Sequence, residues 1–246
     1  MKTVFIDCSP KKRLSASGFI AGFTAAFVAG KKKKEKLRTK ADYGRVLEAV
    51  KDADSVVFSM PLYVDGVPSH VLPFLREMEL YCKESNPALN VYVIANNGFI
   101  EGRQNEPLMQ VMENFCARSG ISWRGGLGIG GGVMMNVMRI MLTVFFGLAI
   151  LNTILAVVRE GSFQAGPLLG FGKQALEVLF FGCGIVAFDL WLAFCINRQK
   201  PFGKRYTRVM LPSFVFILFA DIFFVIASFF QGGMFRGWLA KKKPAD

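Results

Sequence analysis

Three apolar runs in the second half of the chain restrict its fold more than any other feature. Ile140–Val158 carries no charged residue, Val178–Ile196 carries only Asp189, and Val209–Phe230 carries only Asp221. Roughly 20 consecutive apolar residues cross the hydrocarbon core of a bilayer, so each run has the length and composition of a transmembrane helix. The competing explanation is burial inside one large soluble domain, but soluble folds rarely stack three such runs in so short a stretch. The expected spans are residues 140–158, 176–196 and 209–230, an all-α membrane region within 134–246.

The runs also resolve a conflict in composition. The 246 residues are 52% hydrophobic yet carry a net charge of +12, an unusual pairing for a single soluble domain. Residues 1–135 hold 18 Lys/Arg and 13 Asp/Glu, whereas 136–246 hold 12 and 5, gathered between apolar runs. The first part therefore reads as a globular domain and the second as membrane. So apolar a chain is not disordered. Five scattered Cys with no CxxC pair exclude a zinc ribbon or thioredoxin chemistry, and a single His, His70, excludes a multi-His metal site. The start, Met1-Lys2 followed by a short TVFI run, lacks the apolar core of a signal peptide. The N-terminal domain is therefore expected in the cytoplasm.

Orientation follows from the loops. Residues 197–208 contain Arg198, Lys200, Lys204, Arg205 and Arg208, and the positive-inside rule places such a loop in the cytoplasm. The loop around Arg159–Lys173 would then lie outside. The C-terminal tail, with Arg236 and Lys241–Lys243, falls on the outer side against the rule.

The first part alternates strand-like and helix-like segments. Thr3–Asp7, Ser55–Ser59, Val91–Ala95 and Ile121–Ile129 read as strands, and Ser15–Val28, Tyr43–Val50, Ser69–Tyr81 and Asn105–Arg118 as helices. Such alternation implies an α/β fold with a parallel sheet covered on both faces. A strand is missing between the first two helices. Only the polar stretch Lys34–Thr39 can supply it, as an edge strand. Five strands then fit a flavodoxin-like, doubly wound order 2-1-3-4-5. Ligands of such sheets sit beyond the carboxyl ends of the strands, where the winding reverses.

Three loops lie there. The first, Asp7 to Ser17, joins a strand to a helix N-terminus and holds Ser9, Lys11, Ser15, Ala16 and Ser17, which suit a phosphate. An ordinary N-cap with a solvated basic loop explains the same residues. The second loop, Pro61, Leu62, Tyr63 and Val64 through Ser69, is stiffened by Pro61, Gly66 and Pro68 and can wrap a flat ring. A rigid turn with Tyr63 packed on the surface is equally consistent. The third, Asn96, Asn97, Gly98 and Phe99 through Gly102, can present backbone N–H groups.

Together the loops resemble the flavodoxin-like NADPH-dependent FMN reductase and NAD(P)H-quinone reductase family. Cys8-Ser9-Pro10-Lys11 with Ser15 and Ser17 is similar to its phosphate loop. Met60-Pro61-Leu62-Tyr63 through Pro68, followed by Phe74-Leu75-Arg76-Glu77, is similar to its flavin-ring motif, and Asn97-Gly98-Phe99 to its third loop. The resemblance covers residues 1–133. It implies an FMN-binding domain there, with the phosphate on the first loop and the ring between the second and third. It also implies NAD(P)H as electron donor and a homodimer across the flavin site. Cys8 stands where the family has Gly, the region after the first helix is short and lysine-rich, and the membrane half is foreign to the family.

The remaining features have plainer readings. Gly125–Gly132 is a strand end and junction rather than a dinucleotide fingerprint. The run Lys31–Lys40 has no interleaved aromatics and no nucleic-acid motif; a solvated loop or attraction to an anionic leaflet explains it. His70 is a helix-surface side chain or a contact to the flavin. Asp189 and Asp221 sit at membrane depth, as helix-to-helix hydrogen bonds or as a proton or quinone path. Cys183 and Cys195 are apolar fillers. The resulting expectation is a bilayer-anchored FMN oxidoreductase passing electrons from NAD(P)H to a quinone, a flavin or a membrane redox partner, with no nucleic acid bound. A one-electron carrier and a flavin-free sensing or interaction module are the rivals.

Overall fold

The computed structural model describes residues 1–11, 15–85, 87–163 and 165–230. Lys12, Arg13 and the charged C-terminal tail lie outside the described residues. The chain divides into two compact units, Met1–Met210 and the residues from Leu211 on.

In the first unit, β1 (Lys2–Asp7), α1 (Ala16–Phe27), β2 (Lys31–Lys36), α2 (Tyr43–Val50), β3 (Ser55–Pro61), α3 (Val71–Ser85), β4 (Asn90–Asn96), α4 (Glu106–Ser119) and β5 (Ser122–Gly130) alternate along the chain. Then come α5 (Gly132–Glu160), α6 (Gly166–Asn197) and β6 (Gly203–Arg208). The sheet has six strands in the order β2-β1-β3-β4-β5-β6, every neighbouring pair parallel. The flavodoxin-like order 2-1-3-4-5 is present, extended by one strand. β1, β3 and β4 are buried on both faces, so they are runs of Val, Ile, Phe and Tyr without alternation. Val4, Ile6, Val56, Phe58, Val91 and Val93 face the core under α2, α3 and α4. α1 and the end of α6 cover the other face.

Two strands differ from those the sequence suggests. The second strand begins three residues earlier than expected. Gly30, at φ +84, turns the chain directly out of α1, and the Lys31 N–H bonds the Met1 carbonyl. Its lysines are tolerated because β2 is an edge; only Glu35 is buried, and it pairs with Lys33 and Arg45. The sixth strand comes from the basic loop expected to be a membrane connection. Two of its side chains find partners on α4: Lys204 reaches Glu106 and Glu113 at 3.1 and 2.7 Å, and the Tyr206 hydroxyl donates to Glu106. The glycines of β5 admit it. A Cβ on Gly125 would strike the Gly203 backbone, and one on Gly128 would meet the Tyr206 ring.

The crossover from β5 to β6 is a pair of long antiparallel helices. α5 and the first half of α6 expose Ile140, Val144, Phe146, Leu151, Leu176 and Phe180, among others. Both helices are long and apolar enough to cross a membrane. The run expected as the second span is divided, however. Ile185, Asp189, Leu192, Ala193 and Ile196 are buried against α1 and the sheet. Asp189 accepts the Thr24 hydroxyl at 2.7 Å, and Asn197 bonds Phe27 and Ala29 backbone groups. Asp189 is thus a packing contact of the α/β layer. The expected third span, 209–230, is not reproduced. Val209 and Met210 bond the Gly130 and Phe181 carbonyls in the first unit, and α7 of the second unit (Ser213–Phe230, containing Asp221) starts only at Ser213. Among the described residues only α5 and α6 have the length and hydropathy of a span.

Candidate functional site

The winding reverses between β1 and β3; at such a point the loops leaving a doubly wound sheet diverge and leave room for a ligand at its carboxyl edge. Buried hydrogen bonds join the three loops there. Asn96 Nδ2 donates to Ser17 Oγ at 2.7 Å and to the Met60 carbonyl at 3.2 Å. Ser59 Oγ donates to the Ser17 carbonyl, and the Leu62 N–H to the Asn96 carbonyl.

The first loop is organised by Asp7. Its Oδ1 accepts the Ser9 N–H at 3.0 Å and the Ser15 hydroxyl at 3.4 Å. Ser15 is also the N-cap of α1, accepting the Gly18 N–H. Ser9 is buried, and its hydroxyl accepts the Lys11 N–H. Arg38 grips the loop from outside, donating to the Ser9 and Lys11 carbonyls. Burial lifts the Asp7 carboxyl above the usual carboxylate range, against the opposing pull of the Ser9 N–H, Arg38, Lys36 and Ser15. Cys8, standing where a glycine was expected, continues β1 and turns its thiol into the core. Burial, with help from Asp7, pushes that thiol well up. His70 Nε2 lies 3.0 Å from the Cys8 carbonyl and 3.2 Å from the Leu37 carbonyl. Two acceptors require that nitrogen to carry the proton, so His70 ties two strand ends together.

The second loop ends in a tight hairpin. Tyr63 and Gly66 exchange N–H···O bonds at 3.1 and 3.0 Å, with Val64 at φ 47 and Asp65 at φ 54. This is a type I′ turn, a setting that strains a β-branched residue such as Val64. The strain is retained at a fully exposed tip, beside Tyr63, which is 42% exposed. On the third loop Phe99 is 59% exposed, while Asn97 is buried, donates to the Glu101 carbonyl and leaves Oδ1 without a partner among the described residues.

The expected site residues therefore separate into two groups. Lys11, Tyr63, Val64, Gly98 and Phe99 are exposed on the loops, with Ser15, Ala16 and Pro61 half-buried. Ser9, Ser17, Leu62, Asn96 and Asn97 are buried and serve to build the loops. No local pattern marks Arg38 for this role, because only the register of β2 brings the end of the lysine run onto the first loop.

An FMN can be tested against this geometry. Ala16 and Ser17 open the first turn of α1, the part of a helix whose N–H groups lack intrahelical partners and suit an anion. Tyr63 and Val64 on the second loop and Phe99 on the third are exposed apolar groups, of the kind a flat ring requires. Asp7 opposes the phosphate by its charge but leaves these groups in place. The residues fit the group, with one acid against it.

No protein-family model and no curated protein matches the chain. Among solved structures it is similar to the Trp repressor binding protein from Bacillus subtilis, at 19% identity over 52% of this chain and 84% of that one, TM-score 0.44. An NADPH-quinone reductase from P. pentosaceus is 13% identical over 53% and 86%, TM-score 0.44. A flavodoxin of Streptococcus pneumonia TIGR4 is 11% identical over 51% and 81%, TM-score 0.38. At these values the fold assignment rests on the strand order and connections of the chain itself.

Proposed function

We propose that the chain is a membrane-anchored flavodoxin-like oxidoreductase that holds FMN in the strand-end crevice. It takes electrons from NAD(P)H and delivers them to a quinone, a flavin or a membrane redox partner. The observation that carries this reading is the exposure of Tyr63, Val64 and Phe99 on the strand-end loops, with Val64 kept in a strained turn. Exposed apolar groups on a strained strand-end loop point to a ligand.

In this reading the Ala16 and Ser17 N–H groups and Lys11 bind the phosphate. Tyr63 and Val64 on one loop, and Gly98 and Phe99 on the other, sandwich the ring and exclude water from it. Ser17, Asn96 and Ser59 hold the loops at a constant separation. Bound FMN supplies hydride acceptance and one-electron transfer; the chain itself needs no nucleophile or acid–base pair. The apolar α5–α6 hairpin anchors the domain, with the sheet on the cytoplasmic face beside the basic segment 198–208.

The test is the visible flavin spectrum of the purified full chain, followed by FMN titration of the stripped protein. A yellow protein that oxidises NAD(P)H with a quinone supports the reading. A semiquinone without NAD(P)H turnover selects a one-electron carrier. A second reading, a flavin-free interaction module, is favoured by Asp7, whose carboxylate already takes the Ser9 N–H and the Ser15 hydroxyl. Colourless protein with no FMN response would establish that reading instead.

A further inference from the structure

Two cavities meet at the root of the α5–α6 hairpin, and the first of them borders the first loop through Asp7, Ser15 and Arg38. The first, of about 440 Å3, lies between α1 and the edge strand β2. It is hollow because Gly18 and Gly22, one turn apart on α1, place no side chain over β2. Lys34, Lys36, Arg38 and Arg139 border it, with Asp7 at the base. Glu35 also borders it, but its carboxylate is taken by Lys33 and Arg45. Lys34, Lys36 and Arg139 enter no ion pair among the described residues. The cleft therefore keeps an excess of positive charge.

The second cavity, of about 340 Å3, is an apolar groove between α5 and α6, formed by Met138, Leu142, Ala175, Val178, Leu179 and Gly182. The small residues Ala175 and Gly182 leave it open. Phe19 and Arg139 belong to both cavities, and the Arg139 guanidinium lies 5.0 Å from the centre of the Phe19 ring. A basic cleft thus adjoins an apolar groove, with a cation at the junction. Arg139 immediately precedes the apolar run Ile140–Val158, where a basic side chain sits at the level of lipid headgroups.

We propose that this composite surface binds one anionic phospholipid. Its phosphate lies among Lys34, Lys36 and Arg139, and one acyl chain fills the groove between α5 and α6. The charge of the cleft complements a phosphodiester, and the groove complements a hydrocarbon chain; neither cavity alone accounts for the other. The inference rests on the membrane placement of the hairpin proposed above, and not on the flavin.

Native mass spectrometry of the full chain in a neutral detergent tests it. The probes are phosphatidylglycerol, phosphatidylcholine with the same acyl chains, and inorganic phosphate. Retained phosphatidylglycerol should exceed phosphatidylcholine, and K34Q/K36Q should remove that preference, at roughly fivefold per charge lost. Gly182→Leu should reduce retention of both lipids, since its Cβ has ordinary space, 3.9 Å from Met138, while the side chain enters the groove. Circular dichroism of both variants should match that of the parent chain.

Equal retention of the two lipids, unchanged by K34Q/K36Q, would overturn the headgroup site and leave the membrane reading standing. Inorganic phosphate displacing phosphatidylglycerol at similar concentration would assign the cleft to a free anion and overturn the lipid. A chain that stays soluble and monodisperse without detergent would overturn the membrane reading, and this inference with it.

Discussion

Asp7 is where the competing demands on this molecule meet. Its carboxylate shapes the first loop by accepting the Ser9 N–H and the Ser15 hydroxyl, yet it puts a negative charge beside the proposed phosphate site. Asp7→Asn keeps an acceptor at that position and removes the charge. FMN titrated into the stripped variant should bind on the order of tenfold more tightly; weaker binding would mean that the phosphate lies elsewhere. The same substitution reports on stability. Burial raises the Asp7 carboxyl in the folded chain, so folding favours its protonated form. That contribution is complete below the ordinary carboxylate range and is lost as pH rises through the raised value. Asp7→Asn should therefore melt higher than the parent chain at neutral pH, and the two should converge in acid. The location of the loops was readable from residue types, because Ser, Pro, Asn and Gly punctuate apolar runs. The direction of each side chain was not. Ser17 and Asn96 have the same polarity as Ser15 and Gly98 would suggest for a ligand loop, but they turn inward to bond each other.

At the scale of elements, β6 and the end of α6 depend on contacts with distant sequence. Gly125 has φ +116 and lies against the Gly203 backbone. Gly125→Ala should lower stability by about 1–3 kcal/mol and speed hydrogen exchange in 203–208 ahead of β1 and β3. Uniform exchange would deny that β6 depends on this approach. Thr24 is completely buried and supplies the hydroxyl that Asp189 accepts. Thr24→Val conserves shape and leaves Asp189, 1% exposed, without that donor. A cost of about 1–3 kcal/mol in denaturant unfolding is expected. β1, β3 and β4 were legible because burial on both faces demands continuous apolar runs. β2 was legible only as an edge, and three residues out of place, since lysines carry no periodic signal. β6 was hidden: its Lys204 and Tyr206 look solvated until α4 brings Glu106 and Glu113 to them.

Across the whole first unit, the hairpin is an extension of a crossover. Met138 and Gly182 lie side by side at its root, so residues 140–181 leave and return at nearly one point. Replacing them by a short Gly/Ser linker should give a protein that is soluble without detergent and retains all six strands. Aggregation or loss of β6 would show that the hairpin is needed for the α/β layer itself. Apolar length and strand–helix alternation were enough to establish that a parallel α/β layer and long apolar helices occur in one chain, because both are written in local composition. How these parts share residues was set only by folding. The final turns of an apolar run became a sheet-covering helix, and a basic loop became a strand. Both outcomes depend on partners far away in the chain, Thr24 for Asp189 and Glu106 for Tyr206, which no local pattern encodes.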